Sequence, residues 1–182
     1  HCRFNNTSFI AMIDYLGSKA YQAQFWEDPV RIHRKDDLGA VHTHSPKLRY
    51  ASGEDCFRIE ELQELAASGC FAILNPDLKY VGGPSIGHKA FLELEQQGVQ
   101  ISLHNPSGPV ATAHSAHVSS LLAPGSLLEY SFGNQHFRDL SLGSREGITG
   151  GVYHLNDSPG IGLGLSRDFL EKYGSLIQEV TA

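Results

Sequence analysis

Residues 70–83 read CFAILNPDLKYVGG. The first six, CFAILN, are a short and largely apolar run of strand length. Asp77 lies just past its end. Before the run, RIEELQELAASG (58–69) puts Ile59, Leu62, Leu65 and Ala66 on one helical face and stops at Gly69. After it, SIGHKAFLELEQQG (85–98) is helical and ends at Gly98, and VQISLH (99–104) is the next strand. The alternation continues outward in both directions. Upstream stand a strand KLRYASG (47–53), a short charged helix over 32–43, a strand YQAQFW (21–26) and a helix over 6–20. That first helix is capped by Asn6 or Thr7 and carries Phe9, Ile10, Ile13 and Leu16 on one face. Downstream, PVATAHSAHVSSLLA (109–123) opens on proline, as helices often do, and SLLEY (126–130) is a fifth strand.

Five short apolar strands alternating with helices predict a parallel α/β sheet, covered on both faces. Two architectures satisfy that pattern, a doubly wound open sheet and a TIM-type barrel. The strand ends discriminate between them. Glu27, Glu54, Asp77, His104 and Glu129 sit at or just past the C-terminal ends of the five strands, at separations of 27, 23, 27 and 25 residues. A βα unit of a barrel is about 30 residues long. In a barrel such residues converge on one mouth, where active sites lie. In an open sheet they would spread along an edge, because strands lie about 4.8 Å apart. Convergence favours the barrel.

Composition narrows the function classes. Of 182 residues, 41% are hydrophobic and 19% charged, which suits a globular protein. The net charge of −6 offers no attraction to nucleic acid or an anionic membrane surface. No run of 18 apolar residues exists to cross a membrane as a helix. Cys2, Cys56 and Cys70 are an odd number without CxxC spacing, so reduced thiols in a cytoplasmic protein are the expectation. His1 is not a natural start, so further sequence is expected before it.

The motifs WEDP (26–29), SGED (52–55), NPDLKYVGG (75–83), HNPSGP (104–109) and PGIGLGL (159–165) resemble the enolase superfamily in order and spacing. The Asp-x-x-x-x-Gly-Gly segment followed by a strand-end histidine is most similar to the mandelate racemase subgroup. The resemblance implies the C-terminal portion of a modified TIM barrel of (β/α)7β type. Residues 1–130 would carry strands four to eight, and 131–182 would form a tail packing on the barrel and on a capping domain that this chain lacks. Such a part of a barrel, with open sheet edges, is expected not to fold stably alone.

The resemblance also implies roles. Glu27 and Glu54 match the second and third Mg²⁺ ligands; the first ligand of the family is not in this sequence. Asp77 and His104 match a dyad in which the aspartate orients a histidine base. Glu129 matches a carboxylic acid at the eighth strand. His1-Cys2-Arg3 fits the end of the Asp-x-His-x-Arg pattern of sugar-acid dehydratases, whose histidine protonates the departing hydroxide. The implied activity is a Mg²⁺-dependent lyase that removes the proton α to a carboxylate and dehydrates a sugar acid. The alternatives are a racemase, epimerase or cycloisomerase of a hydroxy acid or lactone, and a non-catalytic scaffold. The implied partner is a sugar-acid substrate, and a homo-oligomer is expected through the full-length chain. A hard cation demands oxygen donors, which two glutamates supply.

Other candidates rank lower. His42 and His44 precede a strand, at the bottom of a barrel. His114 and His117 share a solvated helix face. Lys79 lies two residues past Asp77, on its side of an extended segment, and is a secondary candidate for the base. The alternating Gly160, Gly162 and Gly164 lack the context of a phosphate loop and are read as sites of close backbone packing.

Overall fold

The computed structural model describes residues 3–143 and 145–175. Helix α1 (Asn6–Ser18), strand β1 (Trp26–Glu27), α2 (Lys35–His44), β2 (Tyr50–Ser52), α3 (Ile59–Ala67), β3 (Ile73–Leu74), α4 (Pro84–Gln96), β4 (Gln100–Ile101) and α5 (Pro109–Ser119) follow in that order. The four strands form one parallel sheet in sequence order, β1-β2-β3-β4. An unbroken sequence order with a helix after each strand is the βα repeat of a barrel; a doubly wound sheet would reverse its order partway.

The fifth strand is reduced to a parallel bridge between Leu103 and Leu128. Two ladder bonds still hold it: the Leu103 N–H donates to Leu127 O (3.1 Å) and the Glu129 N–H to Leu103 O (3.1 Å). The first strand is displaced from the expected 21–26 to its end, Trp26–Glu27. Only there does the segment run beside a partner, with Trp26 opposite Tyr50 and Glu27 opposite Ala51. Tyr21 to Gln24 are exposed, and apolar content alone does not make a strand where no ladder forms.

The helices bury the faces that their periodicity marks. Phe9 and Ile13 of α1 and Leu62 and Leu65 of α3 enter one core with Val30, Val41, Tyr50, Leu74, Phe91 and Ile101. Gly87 lets α4 lie against Leu78, where a Cβ would come within 2.5 Å of a methyl carbon. No helix among the described residues is long and apolar enough to cross a membrane.

The start of α3 is held by a side chain. Glu61 Oε2 accepts the N–H of Phe57 (2.8 Å) and of Arg58 (3.2 Å), occupying donors that a helix N-terminus leaves open. The Phe57 N–H above all holds the Glu61 carboxyl below its ordinary value of 4.5. A depressed folded-state pKa means that the unfolded chain takes up the proton first as pH falls. Glu61→Ala is therefore expected to cost roughly 0.5–1 kcal/mol at neutral pH. That deficit should shrink as pH falls through the depressed pKa, and urea unfolding of both proteins across pH checks it.

Beyond Tyr130 a short 3₁₀ turn (Phe132–Asn134) leads into α6 (Gln135–Leu142), a hairpin of β5 (Ile148–Thr149) and β6 (Val152–Tyr153), and α7 (Arg167–Tyr173). Arg138 of α6 is 2% exposed and forms a bidentate ion pair with Glu146, Nε to Oε2 at 2.6 Å and Nη2 to Oε1 at 2.8 Å. The guanidinium also lies over the Tyr130 ring, 4.5 Å from its centroid. In the glycine run only Gly162 fits the close-packing expectation, since a Cβ there would meet the Asn156 side chain at 2.9 Å. Gly160 and Gly164 face open space, so close packing does not explain them.

Candidate active site

Parallel pairing places the ends of β1, β2, β3 and β4 side by side. The polar residues that follow them therefore gather at one end of the sheet. Glu27 closes β1. Asp28 follows with a φ of 46°, a left-handed backbone uncommon outside glycine. Its Oδ1 accepts the Ser52 hydroxyl of β2 at 2.6 Å, so the first two strand ends are tied by a buried hydrogen bond. Gly53 turns the chain after β2 and presents Glu54, which is 8% exposed.

Asp77 and His104 face each other across a parallel bridge that extends the β3–β4 pairing. The Asp77 side chain is 2% exposed and that of His104 12%. His104 Nδ1 lies 3.2 Å from Asp77 Oδ2. With the proton on Nδ1, that nitrogen donates to the carboxylate and Nε2 keeps its lone pair. Nε2 then points at two other acids, 3.5 Å from Glu54 Oε2 and 3.8 Å from Glu129 Oε2. Residues that follow β2, β3 and β4 and one of the fifth strand thus meet around one imidazole, and they are four of the residues singled out from the sequence.

The charges are crowded. Burial lowers the His104 pKa, but the Asp77 hydrogen bond and the charges of Glu129 and Glu54 outweigh it and raise the group above its ordinary value. Asp77 is the converse case: burial pushes it up, and hydrogen bonds from His104 and Lys79 bring it below the usual carboxylate range. The Glu27 carboxyl is raised by burial first, then by the charges of Asp28, Glu54 and Glu129. Burial and the Asp28 charge likewise raise Glu54. Burial and neighbouring carboxylates raise both groups, and acids crowded in this way favour a nearby cation. Glu27 and Glu54 offer only carboxylate oxygens, the donor type that suits Mg²⁺ and not a soft metal. Among the described residues, no group of three or more His, Cys, Asp or Glu is arranged to hold a metal. The fit therefore rests on the donor chemistry of these two side chains.

The remaining candidates fall elsewhere. His1 lies outside the described residues. Lys79 Nζ is bound to Asp77 Oδ2 at 2.9 Å, the same oxygen that His104 contacts, and donates to the Ser107 hydroxyl. The Lys79 ammonium is thus engaged as a partner of the aspartate in the dyad. His44 pairs with Asp14 at 2.9 Å between α2 and α1, and His114 Nδ1 meets Val110 O of its own helix at 2.9 Å. Neither faces the cluster. Asp28 and Asn105 were not legible as site residues, although both stand inside the motifs, next to Glu27 and His104. The Asn105 N–H donates to Glu129 Oε2 at 2.9 Å.

The enolase C-terminal domain-like family matches residues 1–169 of this chain. The chain belongs to that family. Among curated relatives, D-gluconate dehydratase of Thermoproteus tenax is 27% identical over 183 residues, 99% of this chain and 36% of the relative. D-xylonate dehydratase of Haloferax volcanii is 29% identical over 154 residues, 84% of this chain and 37% of the relative. D-galactonate dehydratase of Verminephrobacter eiseniae is 34% identical over 116 residues, 63% of this chain and 30% of the relative. The chain spans about a third of the length of these relatives.

Solved structures of the enolase superfamily share the fold. A superfamily member from Agrobacterium tumefaciens superposes with a TM-score of 0.82 at 20% identity, covering 94% of this chain and 43% of its own. A mandelate racemase/muconate lactonizing enzyme from Jannaschia sp. CCS1 gives a TM-score of 0.79 at 23% identity, covering 95% and 43%. The enolase-family chain is thus the C-terminal portion of a TIM-type barrel, with parallel strands alternating with helices.

Proposed function

We propose that this enolase-family chain carries the base and two metal-ligand carboxylates of a Mg²⁺-dependent lyase that removes the proton α to a carboxylate, dehydrating a sugar acid. The observation that supports this most is the disposition of His104: Nδ1 is engaged by buried Asp77, and Nε2 is turned toward Glu54 and Glu129. A general base needs a lone pair aimed into the site and a partner that fixes its tautomer. Asp77 supplies the second and stabilises the imidazolium once the proton has arrived.

Glu27 and Glu54 would hold the cation at the ends of β1 and β2. When bound, Mg²⁺ neutralises negative charge that builds on the substrate carboxylate as the α-proton leaves. Glu129, whose Oε2 lies 3.8 Å from Nε2, would donate a hydrogen bond to a substrate oxygen when it carries a proton. His1 is assigned to protonation of the departing β-hydroxyl. Three relatives bear the names of sugar-acid dehydratases, which directs the substrate class toward aldonic acids.

The test is deuterium incorporation at the substrate α-carbon in D₂O, with the intact protein and a panel that includes D-gluconate, D-galactonate and D-xylonate. Exchange or 2-keto acid formation is expected with Mg²⁺ and is expected to stop on chelation by EDTA. Silence across the panel with Mg²⁺ present would defeat the reading.

A further inference from the structure

We infer that Thr112 and the buried Arg138–Glu146 pair are positioning residues for Glu129, acting through Asn105. The inference rests on the proposed role of Glu129 beside His104. The connection is a continuous series of hydrogen bonds. Arg138 Nη2 donates to Thr112 Oγ1 at 2.7 Å, and Nη1 donates to the Ser107 carbonyl. Thr112 Oγ1 also accepts from Asn105 Nδ2 at 2.8 Å and donates to Gly108 O at 3.1 Å. Asn105 Nδ2 donates in addition to Glu129 O at 3.1 Å, and the Asn105 N–H donates to Glu129 Oε2 at 2.9 Å. One asparagine therefore grips both the backbone and the carboxylate of Glu129.

Burial separates the anchor from the group it anchors. Asn105 is 1% exposed, Thr112 0% and Arg138 2%, whereas the Glu129 side chain is 48% exposed. A half-exposed glutamate on a strand held by one bridge would otherwise sample several rotamers. The network instead confines its carboxylate to the neighbourhood of Nε2. The segment beyond Tyr130, which supplies Arg138 and Glu146, is thereby linked to the cluster by way of Thr112 and Asn105. Preorganisation of this kind is carried by the shell behind a reacting group.

The test compares Thr112→Val, Thr112→Ser, Glu129→Gln and the Glu129→Gln/Thr112→Val double variant in the intact protein. Thr112→Val is expected to lower kcat about tenfold with little change in KM, the effect of losing one buried hydrogen bond that acts on the transition state. Thr112→Ser keeps the hydroxyl and is expected within about twofold of the parent. In the Glu129→Gln background Thr112→Val is expected to add nothing. Amide hydrogen exchange at Asn105 is expected to quicken about tenfold in Thr112→Val and not in Thr112→Ser. Thr112→Ala removes the same hydroxyl and serves if the valine variant does not fold.

Unchanged Asn105 protection in the valine or alanine variant overturns the inference. So does a kcat defect that persists in full beside Glu129→Gln. If no sugar acid is turned over, the proposed function fails by itself, and the Asn105 amide still decides whether the network holds Glu129.

Discussion

His104→Asn is expected to slow α-proton exchange about a thousandfold, within the range that a positioned general base contributes. Asparagine keeps an N–H that can reach Asp77 Oδ2 but has no basic nitrogen to turn toward Glu54 and Glu129. The loss should therefore fall on the chemical step and not on folding. His104 is half of a parallel bridge with Asp77, and that bridge is backbone, which the substitution leaves intact. Deuterium incorporation followed by NMR measures the rate, and urea unfolding measures the fold. A variant that exchanged within tenfold of the parent would remove His104 from the role of base, and Lys79, bound to the same Asp77 oxygen, would become the next candidate.

Arg138→Met carries the largest expected effect on stability. It would leave the Glu146 carboxylate, 1% exposed, with the Tyr130 hydroxyl at 2.9 Å in place of a bidentate guanidinium. Removing one partner of a buried ion pair costs about 3–5 kcal/mol, because a charge remains without compensation. Against a typical total of about 5–15 kcal/mol for a domain, that is a large fraction. Replacing both partners by apolar residues of similar volume is expected to recover most of the loss, since no buried charge then remains. Chemical denaturation of the intact protein distinguishes the two cases. A cost under about 1 kcal/mol for Arg138→Met would show that water reaches Glu146 and that the pair behaves as a surface contact.

Much of the architecture is visible as local pattern. Leu62 and Leu65 recur at helical spacing and are buried, and CFAILN contains a strand, Ile73–Leu74, because a short apolar run between two helices can pair on both sides. The position of β1 is not local. YQAQFW has strand composition, yet only its last residue, followed by Glu27, lies beside Tyr50 and Ala51. The elements after Tyr130 are not legible in the sequence, because the short α6 and α7 and the two-residue strands of the hairpin carry too few turns of periodicity to register.

Residue types and their spacing along the chain, by themselves, determined the βα alternation, its barrel reading and the five polar residues at strand ends. They could do so because helical and strand periods, and the recurrence of one ionisable residue per unit, are properties of the chain order. The resemblance implied that Asp77 pairs with His104, and only the tertiary structure decided which nitrogen faces it and which further acids join them. It placed Asp77 against Nδ1 and Glu54 and Glu129 toward Nε2, tied Asp28 to Ser52, and joined Arg138 to Asn105 through Thr112. These contacts span 24 to 50 residues of sequence or run through a shared hydroxyl. They depend on strand register and side-chain direction, which no local pattern encodes.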